Sequence, residues 1–114
     1  MATDKSYEDF FNDDKKIEQL ELIENYAAFK STRVGLEQYR KVMKARLMKE
    51  FEPQFRAVAV QEREAYAHPD YVQIIDALQI ATNEETKAWW KLEMFKLEID
   101  VWRTEQANNR KLDH

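Results

Sequence analysis

Apolar positions in the C-terminal half of the chain recur at alternating steps of four and three residues. The series is Ile74, Leu78, Ala81, Glu85, Ala88, Leu92, Phe95, Ile99 and Trp102, in which only Glu85 is charged. Heptad spacing of this kind predicts a helix that packs lengthwise against another helix. No glycine or proline follows Pro69, so we expect one long amphipathic helix over about residues 69–108.

The N-terminal half carries helical spacing in two stretches. The first predicted apolar face, which follows possible N-caps at Asp13 and Asp14, consists of Ile17, Leu20, Ile23 and Ala27. The second predicted face consists of Leu36, Tyr39, Met43 and Leu47. Gly35, the only glycine, is expected to mark a bend or a helix boundary. Pro53 is expected to kink or restart the helix, because it removes a backbone donor and crowds the preceding turn.

Composition favours an all-α fold. The chain has 114 residues with one glycine and two prolines, too few for a protein of strands and turns. We predict an elongated antiparallel helical hairpin or bundle that forms a single helical domain over residues 13–114. Residues 1–12 lack a helical period and are expected to be an acidic, flexible segment. No apolar run approaches the ~20 residues of a membrane span, and the N-terminus does not resemble a signal peptide. A cytoplasmic protein that does not enter a membrane is therefore expected.

Residues that could perform chemistry are scarce. The chain has two histidines, no cysteine and no glycine-rich loop, so it offers no P-loop, nucleophile–base pair or zinc motif. His68 directly precedes Pro69 and is interpreted as a helix N-cap rather than a catalytic base or ligand. We therefore predict a protein that is not an enzyme and that needs no cofactor or metal.

Charge is distributed unevenly along the chain, whose net charge is −4. Residues 1–29 contain eight acidic and three basic residues, whereas residues 30–49 contain seven basic residues and one acidic residue. On a helix, Lys30, Arg33, Arg40 and Lys44 share a stripe that should stay in water, and such a stripe can follow a phosphate backbone. Tyr39 or Phe51 could stack an unpaired base, which would favour single strands. The same cations could instead be a solvated face, or could pair with acids of residues 4–24.

A second apolar stripe, formed by Trp90, Met94, Leu97 and Val101, lies beside the heptad series. One long helix in a chain of this length has too few partners to cover both stripes. Some of this surface is therefore expected to contact another subunit.

The segment "KVMKARLMKEF" resembles the Lys-Ala-Arg-Leu segment of the UvsY-type recombination mediators of tailed phages, with the match at residues 44–47. The stretch "YAHPDYVQIIDAL" is similar to the start of the next long helix in that family. The run "AWWKLEMFKLEIDVW" falls where those proteins have an amphipathic region that builds a ring-shaped homo-oligomer. The order of parts agrees from about residue 36 to the end, while the acidic N-terminus and the double tryptophan depart from the family.

The resemblance implies a mediator that loads a recombinase onto single-stranded DNA coated by single-strand DNA-binding protein, in a bacterial host cytoplasm if the chain is phage-encoded. The expected DNA-binding residues are Lys44 and Arg46, supported by Arg40, Lys41, Arg33 and Lys49. The expected residues of the homo-oligomer interface are Trp90, Leu92, Met94, Phe95, Ile99 and Trp102.

Two other functions fit the same residues. One is a protein-interaction module, such as a phage inhibitor or helical adaptor, that acts through its acidic surface. The other is a structural coiled-coil protein, for which substitution of Lys44 and Arg46 would have no effect on function.

Overall fold

The computed structural model describes residues 13–112, and the regular elements in that range are all α-helices. Helix α1 spans Asp13–Phe51, α2 spans Val58–Ala67 and α3 spans Pro69–Leu112. The all-α prediction is confirmed. The expected flexible segment at residues 1–12 lies outside the described residues.

Helix α1 is continuous for 39 residues and passes through Gly35. Gly35 has no positive φ, and a Cβ added there would meet no atom within 4 Å. The expectation of a helix boundary at Gly35 was therefore wrong. Helix α1 continues well beyond Gly35 on both sides, and one interior glycine costs about 1 kcal/mol relative to alanine.

The connection after α1 is where Pro53 was expected to interrupt the helix. Helix α1 ends at Phe51, and the backbone N–H of Phe55 donates to the Phe51 carbonyl at 2.9 Å. The side-chain amide of Gln61, which is 7% exposed, donates to the Phe55 carbonyl at 2.7 Å. This bond satisfies a buried polar side chain and fixes the connection against α2.

Helix α3 begins at Pro69, as the sequence predicts, and His68 caps it. The backbone N–H of Asp70 donates to His68 Nδ1 at 3.0 Å, while the N–H groups of Tyr71 and Val72 donate to the His68 carbonyl. A side chain that accepts from the first free N–H groups of a helix is an N-cap. The prediction that His68 is an N-cap is thus confirmed, and α3 extends to Leu112, beyond the predicted end at 108.

The heptad series on α3 is confirmed as its inner face. Ile74, Ala81, Ala88 and Phe95 are spaced by seven residues and are 4–7% exposed. The other members of the series are half-buried, including Glu85. The seam on α3 therefore follows the spacing that the sequence displays.

The inner face of α1 differs from the prediction. Lower exposure recurs, again at steps of four and three, at Lys15, Gln19, Leu22, Tyr26, Phe29, Arg33, Leu36, Arg40, Met43 and Leu47. By contrast, Ile17, Leu20 and Ile23 are 45–58% exposed, Ala27 is exposed, and Tyr39 is 43% exposed. The predicted inward face at residues 17–27 was wrong, and so was the inward placement of Tyr39.

The physical reason lies in the register. A helix that packs lengthwise must keep one seam along its whole length, and residues seven apart occupy equivalent positions in it. Leu22, Phe29, Leu36 and Met43 satisfy this condition. The face that begins at Ile17 is rotated away from that seam.

Contacts divide the chain into two compact units. The described part of the first unit consists of residues 13–27 and 86–112, and the second unit is Ala28–Glu85. The core of the second unit contains Leu47, Ala65 and Tyr71, with Met43, Met48 and Phe51 packed against it. None of the helices described by the structure is long and apolar enough to cross a membrane.

Candidate nucleic-acid interface

The basic segment of α1 lies in the second unit, where the structure divides its cations into two groups. Arg33 and Arg40 occupy seam positions and Lys44 lies beside the seam, so all three are half-buried. Lys30, Lys41, Arg46 and Lys49 are exposed. The two groups have different neighbours and therefore different capacities to bind a ligand.

Arg33 pairs with carboxylates of its own unit. Its guanidinium donates to both carboxylate oxygens of Glu85, through Nε and, at 3.2 Å, through Nη2. Nη1 also donates to Glu37 at 3.1 Å. The hydrogen bonds to Glu85 are the main cause of a raised pKa at Arg33. This bidentate pair explains how a charged residue fits the heptad series at position 85.

Arg40 contacts Tyr71, a core residue that is 5% exposed. Arg40 Nη1 donates to the tyrosine hydroxyl at 3.3 Å, and this bond is the largest contribution to a raised pKa at Arg40. Together with the Arg33–Glu85 pair, the contact shows that α1 and α3 run antiparallel within this unit. The Nε of Arg40 is buried and has no hydrogen-bond partner among the described residues.

Lys44 belongs to a cluster with Glu62 and Tyr66 of α2. Lys44 Nζ lies 3.1 Å from Glu62 Oε1 and 4.8 Å from the centroid of the Tyr66 ring. The Tyr66 hydroxyl donates to the same carboxylate oxygen at 2.9 Å. Tyr66 and Glu62 raise the pKa of Lys44, and Lys44 in turn lowers the pKa of Glu62.

These contacts correct the expectation that Arg33, Arg40 and Lys44 stay in water, whereas Lys30, the fourth cation of that stripe, is exposed as expected. Arg33 and Lys44 retain only 23% and 32% of their side-chain exposure. A phosphate that approached either residue would compete with a carboxylate that is already in place. The assignment of DNA contacts to these three residues stays a prediction, and a phosphate that binds any of them would have to displace an existing side-chain contact.

The exposed group forms part of a continuous stripe on the outer side of α1. The stripe, which we call the outer stripe, consists of Tyr39, Val42, Arg46 and Lys49. Steps of three, four and three residues keep these side chains on one face over about 15 Å of helix. The side chains of Arg46 and Lys49 make no ion pair or hydrogen bond with other described residues. The Lys41 side chain makes none either, but it lies about 100° around the helix from Val42 and is not part of the outer stripe. The outer stripe therefore combines an accessible aromatic ring with accessible cations.

The two aromatic candidates for base stacking are in different environments. Phe51 packs against the second unit's core and lies 6.0 Å from Phe55 and 6.3 Å from His68, between ring centroids. Tyr39 is 43% exposed and lies on the same face as Arg46, seven residues further along. Of the two rings, Tyr39 is the one that can meet a base without rearrangement of the core.

The predicted oligomer residues, which all lie in the first unit, are either on the inner seam of α3 or exposed outside it. Phe95 is 5% exposed, so its surface is already covered within the chain, and its assignment to a subunit contact stays a prediction. Leu92, Ile99 and Trp102 are half-buried on the same seam. Trp90 and Met94 are 56% and 54% exposed. Only these last two have most of their apolar surface available.

The sequence pattern did not reveal the residues that hold the inward cations. Glu62, Tyr66 and Tyr71 lie on other helices, and nothing in their local sequence distinguishes them from solvated neighbours. Among the described residues, no group of three or more histidine, cysteine or acidic side chains could hold a metal ion.

Comparison with known proteins adds no relative: no family model, no curated protein and no solved structure matches the chain. The residues and their geometry therefore carry the functional argument.

The Lys44–Glu62 cluster predicts that the free energy of unfolding falls slightly as the pH is lowered. The lowered pKa of Glu62 stabilises the fold above the ordinary carboxyl pKa of 4.5, and this stabilisation is lost as pH falls through the lower, folded-state value. Below about pH 4.5, the free energy of unfolding should therefore fall less with pH in Glu62→Gln than in the wild type. The effect is small because both side chains are partly exposed.

Urea unfolding between neutral pH and pH 3 measures this effect, with Glu21→Gln as the matched control at an exposed glutamate. If the Glu62→Gln and Glu21→Gln curves fall in parallel with pH, the cluster does not contribute in this way.

Proposed function

We propose that the protein binds single-stranded nucleic acid through the outer stripe of α1. The observation that supports this function best is the placement of Arg46 and Lys49 on an exposed face that they share with Tyr39. Cations along a helix neutralise successive phosphates and release counterions. An exposed aromatic ring can stack an unpaired base, which duplex DNA does not offer.

The outer stripe also accounts for how an acidic chain can meet a polyanion. The second unit carries equal numbers of acidic and basic residues, but several of its acids are engaged by inward cations. Glu37 and Glu85 bind Arg33, and Glu62 binds Lys44. These pairs occupy three acids that would otherwise repel phosphate, while the side chains of Arg46 and Lys49 stay exposed on the outer stripe.

Within this function we propose the role that the UvsY-type resemblance implies. The protein would be a homo-oligomeric recombination mediator that acts with a recombinase and a single-strand DNA-binding protein in a bacterial cytoplasm. One outer stripe binds weakly, while several linked copies hold the strand at high effective concentration. A strand held in this way is accessible both to the single-strand DNA-binding protein, which must dissociate from it, and to the recombinase, which must bind it. The proposed work is a competition of binding equilibria and needs no catalytic residue.

Tyr39 supplies the first prediction from this function. Replacement of Tyr39 by alanine should lower the affinity for a single-stranded oligonucleotide roughly 5- to 150-fold, since one base–aromatic stack contributes about 1–3 kcal/mol. Tyr39→Phe keeps the ring and should bind as the wild type does. Fluorescence anisotropy of a labelled oligonucleotide measures both variants. Equal losses for the two substitutions would show that the hydroxyl, and not stacking, matters.

A recombinase assembly assay tests the mediator role. Single-stranded DNA is first saturated with single-strand DNA-binding protein, and recombinase loading is then followed with and without this protein. Loading should accelerate with the wild type and not with an Arg46→Ala/Lys49→Ala variant. If both proteins accelerate loading equally, the mediator role does not depend on the outer stripe.

A further inference from the structure

Gly35 is the only glycine of the chain, and it lies in the interior of α1. Apart from proline, glycine is the least favourable residue in a helix interior, because it loses the most backbone freedom on folding. The φ of Gly35 is not positive, so its backbone could carry a side chain without strain. A Cβ built at Gly35 would have no atom within 4 Å, so the packing does not exclude a side chain either. The helix therefore contains a destabilising residue that its own structure does not require.

Gly35 lies on the same face of α1 as the outer stripe. It is exposed and precedes Tyr39, the first residue of the stripe, by four positions. Residues four apart on a helix are neighbours, with Cβ atoms about 5–6 Å apart. Long helical side chains also lean toward the N-terminus, over the turn that precedes them. The side chain of Tyr39 therefore borders the surface at Gly35.

The space between Gly35 and the Tyr39 side chain is open. No atom of Tyr39 lies within 4 Å of the position that a Cβ would take at Gly35. Tyr39 is 43% exposed, and its side chain makes no hydrogen bond or ring contact with other described residues. A ring can stack a base only through an uncovered face. A leucine side chain at position 35 would instead pack on the ring, as tyrosine and leucine do when they are four residues apart on a helix.

We propose that Gly35 opens the ring of Tyr39 to an unpaired base and thereby determines the preference of the outer stripe for single strands. A larger side chain at this position would stabilise α1 and cover the ring, while Arg46 and Lys49 would still meet phosphates. The inference rests on the proposed function. Within that function, it assigns the part of binding that depends on bases to Gly35 and Tyr39 together.

Gly35→Leu tests the proposal, and two variants control for its other effects. Gly35→Ala stabilises the helix but adds only a methyl group. Ser31→Leu adds a leucine at an exposed position of α1 that is about 12 Å from Tyr39 along the helix, too far to cover the ring. Fluorescence anisotropy at low salt compares three labelled oligonucleotides of equal length: a single strand, the same strand with abasic sites throughout, and a duplex. Circular dichroism follows helix content and thermal unfolding.

The expected result is a gain of stability together with a loss of binding. Gly35→Leu and Gly35→Ala should each raise the thermal midpoint by about 4 °C, because leucine and alanine are better helix formers and the added atoms enter open space. Gly35→Leu should lower the affinity for the single strand roughly 5- to 150-fold, the loss expected for one stacked base. Gly35→Ala and Ser31→Leu should bind nearly as the wild type does.

Two comparisons separate a covered ring from a general defect of the Gly35→Leu protein. Its affinities for the abasic strand and for the duplex should equal those of the wild type, because neither offers a base to the ring. In a Tyr39→Ala background, Gly35→Leu should have no further effect on affinity for the single strand, because the stack is already absent.

Four results would overturn the proposal: wild-type affinity of Gly35→Leu for the single strand, an equal loss on the abasic strand, a further loss in the Tyr39→Ala background, or a loss of helix content. A wild type that binds no oligonucleotide would overturn the proposed function and this inference together. Wild-type binding that Tyr39→Ala weakens and Gly35→Leu leaves unchanged would overturn this inference alone.

Discussion

Leu47→Ala should lower the free energy of unfolding by about 2–5 kcal/mol, the range for large buried aliphatic side chains replaced by alanine. Leu47 is 2% exposed and is the largest fully buried side chain among the residues that the structure describes. It packs in the core of the second unit with Ala65 of α2 and Tyr71 of α3, so all three helices meet at this residue. The substitution removes apolar contacts and leaves a cavity that this small core can close only in part.

Urea denaturation followed by circular dichroism measures the change. Val42→Ala is the matched control, because Val42 lies on the same helix but is 46% exposed, and it should change stability by about 0.5 kcal/mol or less. Equal losses for the two variants would contradict the assignment of the core. The result also concerns the outer stripe, since Leu47 directly follows Arg46 and anchors that part of α1.

Arg46→Glu/Lys49→Glu should abolish most binding to single-stranded DNA, with a loss of affinity of about 100-fold or more at low salt. Two charge-assisted contacts to phosphate are removed and two repulsive charges take their place. The dependence on salt should also weaken. Each phosphate contact contributes a slope of about −0.7 to log K against log salt for single strands, so the loss of two contacts reduces the slope by about 1.4.

The control for this variant is Lys16→Glu/Lys111→Glu, which makes the same change in net charge at exposed lysines of the first unit. Its affinity should fall much less, through long-range repulsion alone. Similar losses for the two variants would mean that net charge, and not the outer stripe, governs the interaction. Arg46, Lys49, Lys16 and Lys111 all have exposed side chains, so neither variant should unfold the protein.

Local signals along the chain were sufficient to predict much of the fold. The scarcity of glycine and proline indicated helices, His68 and Pro69 indicated the start of α3, and the heptad series from Ile74 indicated its inner face. Each signal acts within a few residues, through capping, a missing backbone donor or helical periodicity. The structure confirms these three features.

The orientation of α1 could not be predicted in the same way. Two apolar series run along this helix, one through Ile17 and Leu20 and the other through Leu22 and Phe29. Periodicity alone does not decide which of two such faces turns inward, because the choice depends on the partner helix. The inner seam also includes Lys15 and Arg33, whose long side chains can bury their stems while their charged ends reach a partner.

The candidate site shows the same limit. Lys44 and Arg46 are two residues apart in a motif that favoured both equally, yet one is paired and the other is accessible. The difference arises from Glu62, which is 18 residues away from Lys44. Similarly, Arg40 meets Tyr71 at a separation of 31 residues, and Arg33 meets Glu85 at a separation of 52. Contacts at these separations follow from packing and leave no local signal in the sequence.

The most direct test of the central claim is the affinity of the wild-type protein for a labelled single-stranded oligonucleotide, measured by fluorescence anisotropy across a series of salt concentrations. With the two cations of the outer stripe, Arg46 and Lys49, we predict binding at low salt and a slope of about −1.4 for log K against log salt per binding stripe. Binding to a duplex of the same length should be weaker, because a duplex offers no unpaired base to Tyr39. The absence of binding to either oligonucleotide at low salt would contradict the claim, and the outer stripe would then have to be tested as a surface for a protein partner.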